Sequence, residues 1–181
     1  MNKDIKEIIF TAEDIKKKVK EIAQELNDFY KGEEVIFVAV LKGSLPFYAD
    51  LVREVNFPVA FDMVCVSSYG ASAESSGKLK VRLDSAYASF ENKNVLIVED
   101  ILDTGNTLCN LLEHFKDKNP KSMKLCCLLD KPSRRLRDIN ADFCGFEIPD
   151  EFVVGYGLDY AEKYRELPYI GVLKREIYEN N

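Results

Sequence analysis

The sequence predicts an α/β fold with a central, mainly parallel sheet flanked by helices, and three observations lead there. Short, fully apolar runs such as Val35 to Val40 and Val95 to Val98 read as strands covered on both faces. Stretches with helical apolar spacing alternate with them. Polar loops follow the runs at the ends where sheets of this class bind ligands. At 181 residues, with 46% hydrophobic and 31% charged side chains, the chain suits a single domain over 1–181 and excludes disordered, collagenous and coiled-coil architectures.

The elements follow in order. Thr11 stands three residues before Asp14 in a capping-box-like start, and Ile15, Val19, Ile22 and Leu26 mark one face of a helix over Thr11 to Leu26. Val35 to Val40 then forms a strand ending in Leu41-Lys42-Gly43-Ser44, and Pro46 sits in the first turn of the next helix. Ser67 to Gly77, rich in Ser, Gly and Ala, reads as a mobile loop. Val95 to Val98 is a central strand, followed by an apolar-striped helix over Leu108 to Phe115; Met123 to Leu129 repeats the strand signal. Phe143 to Phe146, Phe152 to Tyr156 and Tyr169 to Leu173 are shorter strands, the first two separated by Pro149-Asp150.

Charge and composition narrow the partners. Net charge is −6, so the surface as a whole repels nucleic acid, and any phosphate site must be local. No apolar run approaches the ~20 residues of a membrane span, and the charged start MNKDIKEIIF is no secretory signal, which makes the cytoplasm the expected location. Five cysteines without a CxxC and a single histidine, His114, argue for reduced, mostly buried thiols and against zinc.

The chemistry concentrates in Glu99-Asp100-Ile101-Leu102-Asp103-Thr104-Gly105-Asn106-Thr107, which begins where the strand Val95 to Val98 stops. A loop leading into a helix N-terminus offers Gly105 for close backbone approach, free N–H groups, and the hydroxyls of Thr104 and Thr107. Those donors hold a phosphate monoester without lysine. Three carboxylates beside them suit Mg²⁺ or sugar hydroxyls, because hard cations take oxygen ligands. In isolation the same acids would simply cap a helix and face water. Asp103-Thr104-Gly105 also occurs in aspartic proteases, but there it sits in a β-rich fold, in two facing copies.

The run Val98 to Thr107 resembles the phosphoribosyl-pyrophosphate (PRPP) motif of the type I phosphoribosyltransferases. Leu41-Lys42-Gly43-Ser44, Ser67-Ser68-Tyr69-Gly70, Leu128 to Arg135 and Pro149 to Tyr160 extend the match over nearly the whole chain. They narrow it to the hypoxanthine-guanine branch of the bacterial type. The resemblance implies a small hood built from the N- and C-terminal segments, and a lid at about 68–78 that brings Ser68 and Tyr69 over PRPP and excludes water. It implies Mg²⁺ as cofactor, with Glu99 and Asp100 at the ribose and metal end and Asp159 as a second metal-side carboxylate. Arg165 and the Lys42-Gly43 backbone would hold pyrophosphate, with the Leu41-Lys42 peptide able to be cis. Thr104, Gly105, Asn106 and Thr107 would take the 5-phosphate.

For the base, the resemblance assigns Asp103 as general base or acid near purine N7 and Lys131 as donor to O6. The Val153 backbone would read the N1 and C2 edge, and the Phe152 ring would stack on the purine. A lysine donor finds no acceptor in an amino group at C6, so adenine is expected to be rejected. Taken alone, Lys131 with Arg134, Arg135 and Arg137 reads as a solvated face, Phe152 as core, and Cys126-Cys127 as packing. The implied substrates are PRPP and a 6-oxopurine, the products IMP or GMP and pyrophosphate. A homodimer or homotetramer without membrane or nucleic-acid partner is implied as well. Two alternatives remain: a relative preferring xanthine and guanine, and a regulatory protein of the same fold that binds PRPP or nucleotides.

Overall fold

The structure, a computed structural model, describes residues 2–68 and 79–179. The chain runs β1 (Ile5–Phe10), α1 (Ala12–Tyr30), β2 (Val35–Val40), α2 (Leu45–Glu54), β3 (Val59–Ser68), β4 (Leu79–Leu83), β5 (Asn94–Leu102), α3 (Asn106–Lys116), β6 (Ser122–Asp130), a 3-10 turn (Pro132–Arg134), β7 (Phe143–Glu147), β8 (Val153–Val154), β9 (Ile170–Leu173) and α4 (Arg175–Tyr178). Two sheets form. The larger has the order β4-β3-β2-β5-β6-β7, parallel except for the antiparallel edge strand β4. The smaller, antiparallel sheet β1-β9-β8 joins the two ends of the chain.

Strand periodicity divides the core. Val35, Phe37 and Ala39 of β2, with Leu96 and Val98 of β5, pack against α1 and α2. Ile36, Val38 and Val40, with Val95 and Ile97, turn to the opposite face and meet Leu108, Leu111 and Phe115 of α3. Each side chain that leaves water in this way contributes about 1.5–3 kcal/mol, so these central strands hold the two layers in register.

The capping box at Thr11 is present: the Thr11 hydroxyl accepts from the Asp14 amide at 3.2 Å, and the Asp14 carboxylate accepts from the Thr11 amide at 2.9 Å. Helix α1 runs one turn beyond the expected Leu26, because Tyr30 continues the buried stripe and meets Phe57 at 5.4 Å. Strand β5 is also longer than expected. It loses β2 after Val98 but keeps β6 as a partner through Leu102, so Glu99 and Asp100 belong to the strand and the loop begins at Asp103. The strand expected over Phe152 to Tyr156 shrinks to β8, since Gly155 (φ 101°) and Tyr156 (φ 47°) turn the chain away.

All five cysteines are free thiols, but only Cys126 and Cys127 are buried; Cys65 and Cys109 are half-buried and Cys144 is exposed on β7, the edge of the sheet. The expected lid falls on residues 69–78, outside the described residues, apart from Ser68 at the end of β3. Among the described residues no helix is long and apolar enough to cross a membrane.

Candidate active site

The candidate site lies at the carboxyl ends of β2, β5 and β6. After β2, the Leu41-Lys42 peptide is cis. The buried Ser44 hydroxyl donates to the Val40 carbonyl at 2.7 Å and closes the turn. Glycine at position 43 leaves room for the Asp100 carboxylate of β5, which a Cβ here would displace. Lys42 Nζ extends over the rim to Glu162 Oε2 at 3.0 Å.

Strand β5 delivers the two acids. Asp100 accepts from the Ile101 amide at 2.8 Å, and Glu99 Oε2 is sealed from solvent without a hydrogen-bond partner among the described residues. Burial, reinforced by the adjacent Asp100 charge, pushes the Glu99 carboxyl well above the ordinary carboxylate range. Burial lifts Asp100 too, against the opposing hydrogen bonds and the Arg165 charge. Asp103, Thr104 and Gly105 then form the loop into α3, with Gly105 at φ 82° as its N-cap. The Asn106 amide, first in the helix, donates to Thr104 Oγ1 at 3.4 Å. Lys42, Gly43, Glu99, Asp100, Asp103, Thr104, Gly105 and Thr107 line one cleft of about 280 Å³, together with Asp159 and Arg165.

A second cleft of about 250 Å³ continues from Asp100 and Asp103 to Lys131, Phe152, Val153 and Asp159, with Ile101 on its wall. Lys131 is only 8% exposed, donates to the Glu151 carbonyl at 2.6 Å, and is pushed below the usual lysine range by burial, with the Asp103 charge opposing. Asp103 Oδ1 is buried without a hydrogen bond among the described residues, although Arg134 Nε lies 3.4 Å from it. Opposite, Asp159 and Arg165 pair at 2.8 Å, and Arg165 also donates to the Gly157 carbonyl at 2.7 Å while its Nε has no partner among the described residues.

A profile of the phosphoribosyl transferase domain matches residues 6–161. The chain belongs to the phosphoribosyltransferase family. This phosphoribosyltransferase is 51% identical over 180 residues to a hypoxanthine-guanine phosphoribosyltransferase of Bacillus subtilis, covering 99% of both chains. It is 47% identical over 178 residues to the protein of the same name from Streptococcus thermophilus, covering 98% of both. A crystal structure of a hypoxanthine phosphoribosyltransferase from Staphylococcus aureus superposes with a TM-score of 0.93 at 47% identity, covering 98% of this chain and 96% of that one.

Of the residues expected at the site, the two clefts gather Lys42, Gly43, Glu99, Asp100, Asp103 and Thr104. Gly105, Thr107, Asp159 and Arg165 join them, as do Lys131, Phe152 and Val153. Ser68 ends β3, Asn106 opens α3, and Tyr69 lies outside the described residues. The acids do not preassemble: among the described residues no three His, Cys, Asp or Glu side chains stand ready to hold a metal ion, and Asp159 is tied to Arg165.

Sequence reasoning missed Arg135. Its guanidinium donates to the carbonyls of Leu102 (3.0 Å), Ile139 (3.0 Å) and Asp103 and to the Asp130 carboxylate, binding the loop after β5 to the loop after β6. Nothing in a run of basic residues distinguishes such a clamp from a solvated face.

Proposed function

We infer that this chain is a purine-salvage phosphoribosyltransferase that converts hypoxanthine or guanine and PRPP to IMP or GMP and pyrophosphate. Beyond the family match, one observation carries the reading. Three of the buried polar atoms without hydrogen-bond partners among the described residues, Glu99 Oε2, Asp103 Oδ1 and Arg165 Nε, belong to the paired clefts. Buried polar atoms cost free energy unless a ligand satisfies them, so this is where a polar substrate is recognised.

In the proposed reaction, purine N9 attacks the anomeric carbon of PRPP while the bond to the pyrophosphate oxygen breaks. The base loses its proton, and Asp103, at the junction of the two clefts, accepts it. Lys131 keeps donor capacity beyond its bond to Glu151, since an ammonium has three hydrogens, and offers it to O6. Thr104, Gly105, Asn106 and Thr107 bind the 5-phosphate at the head of α3, while Arg165 and the Lys42-Gly43 backbone bind pyrophosphate. Phe152 and Val153 orient the base. Ser68 and Tyr69 belong to the proposed lid, and the sheet β1-β9-β8 to the proposed hood.

Mg²⁺ fits the donor set. The unpartnered Glu99 Oε2 and the neighbouring Asp100 are hard oxygen donors in the cleft that Asp159 also lines, and Mg²⁺ is commonly held by one or two carboxylates plus substrate phosphates. When bound, it would supply Lewis-acid stabilisation of the departing pyrophosphate.

Chromatographic product analysis after incubation with PRPP, Mg²⁺ and each purine tests the whole reading. IMP and GMP should form and adenine should stay inert. Dominant XMP formation would transfer the assignment to the xanthine-preferring branch, and PRPP binding without any product would favour a regulatory protein.

A further inference from the structure

The platform for the base is itself backed by a second ring. Phe152 is half-buried and lines the cleft that holds Ile101, Asp103, Lys131 and Val153. Tyr178, the last residue of α4, does not line that cleft but an adjoining one of about 300 Å³, which it shares with Asp103, Lys131, Arg134 and Phe152. Its ring stacks on Phe152 with centroids 4.8 Å apart and planes inclined by 23°, while Tyr160 meets the same ring edge-on at 5.6 Å and 87°. Both geometries are ones the ring quadrupole favours. One short segment sets the pair: the Leu173 amide donates to the Phe152 carbonyl at 2.8 Å, and five residues later the chain returns with Tyr178. That segment is anchored in turn, since the Lys174 amide donates to the Asp4 carbonyl at 3.0 Å.

A phenyl ring has two faces, and Tyr178 occupies one of them. We propose that Tyr178 is a positioning residue for base recognition, fixing the Phe152 ring so that its remaining face forms the floor under the 6-oxopurine. The inference rests on the base-slot reading above and adds a residue outside the matched motifs. Tyr178 acts through Phe152, so its removal weakens base binding and leaves the pyrophosphate and phosphate contacts intact. The stack Tyr178, Phe152, purine also makes the C-terminal helix part of purine recognition.

The test is steady-state kinetics with hypoxanthine and PRPP varied in turn, for wild type and for Tyr178→Ala, Tyr178→Leu and Tyr178→Phe, together with calorimetric titration of GMP. Tyr178→Ala should raise the KM for hypoxanthine and the Kd for GMP about three- to tenfold with the PRPP KM unchanged, the loss expected for one aromatic pair. Tyr178→Phe should restore both values, and Tyr178→Leu, which fills space without a π-face, should not. An unchanged hypoxanthine KM in Tyr178→Ala, an equal rise in both KM values, or rescue by leucine would overturn the proposal. A wild-type chain that neither forms IMP nor binds GMP would instead remove the functional reading on which it stands, so the two failures are distinguishable.

Discussion

Asp103 and Lys131 are separated in sequence yet meet in one cleft, and each carries a distinct part of the proposed chemistry. Asp103→Asn keeps the shape and removes the proposed proton acceptor. It should lower kcat by about 10²-fold or more while PRPP binding changes little. Equal losses in turnover and PRPP affinity, measured by steady-state kinetics and titration, would argue against the acid-base role. Lys131→Ala removes the proposed donor to O6 and should narrow the preference for hypoxanthine over adenine. Competition between the two bases in one reaction mixture reads that ratio directly, and an unchanged ratio would contradict the assignment. Arg134 belongs to the same group, since its Nε lies 3.4 Å from Asp103 Oδ1 and its Nη1 lies 3.7 Å from Asp150.

The loops after β5 and β6 carry these two residues, and their relative position depends on Arg135. Its side chain and that of Asp130 are 14% and 17% exposed, so removing one partner leaves the other nearly buried and unpaired. Arg135→Ala should cost about 2–4 kcal/mol in urea unfolding and loosen both loops, lowering kcat as well. A variant with wild-type stability and turnover would show that the clamp is dispensable. A second link joins the segment after β4 to α3. Burial would raise the Asp84 carboxyl, but hydrogen bonds from His114 Nε2 (3.1 Å) and the Ser85 amide (2.7 Å), with the Lys118 charge, outweigh it and hold Asp84 below the usual carboxylate range. A depressed folded value stabilises above the unfolded value of about 3.9 and stops doing so as pH falls through the folded one. Asp84→Asn should therefore flatten the fall of melting temperature with pH on the acid side of about 4, and an unaltered slope would count against this link.

At the scale of the molecule, the sheet is unevenly covered. Phe61 of β3 is 60% exposed beside Tyr48 of α2, at a ring separation of 5.5 Å, and Leu45 and Leu83 are also exposed on α2 and β4. Large apolar side chains left in water favour association, in keeping with the proposed homodimer or homotetramer. Sedimentation velocity should find one of these species, and Phe61→Asp should shift the population toward monomer with its fold retained. A wild-type protein monomeric at micromolar concentration would refute the assembly.

Much of the fold was legible because it rests on short-range pattern. The all-buried runs of β2 and the first half of β5, the Thr11 capping box and the apolar stripes of the helices each carry their own periodicity, which needs no knowledge of partners. The acid-rich loop with Asp103 was legible by its motif, whereas Lys131, Asp159 and Arg165 were expected at the site only through the family resemblance. Tertiary structure decided the rest. Glu99 and Asp100 became strand because β6 continues to pair with β5 after β2 has ended. Arg135 became a clamp because two strand ends converge on it, and Tyr178 backs Phe152 because β9 carries the C-terminus across β8. Periodicity records which face of an element is buried; the partner that meets that face is set by pairings between distant segments, which no local pattern encodes.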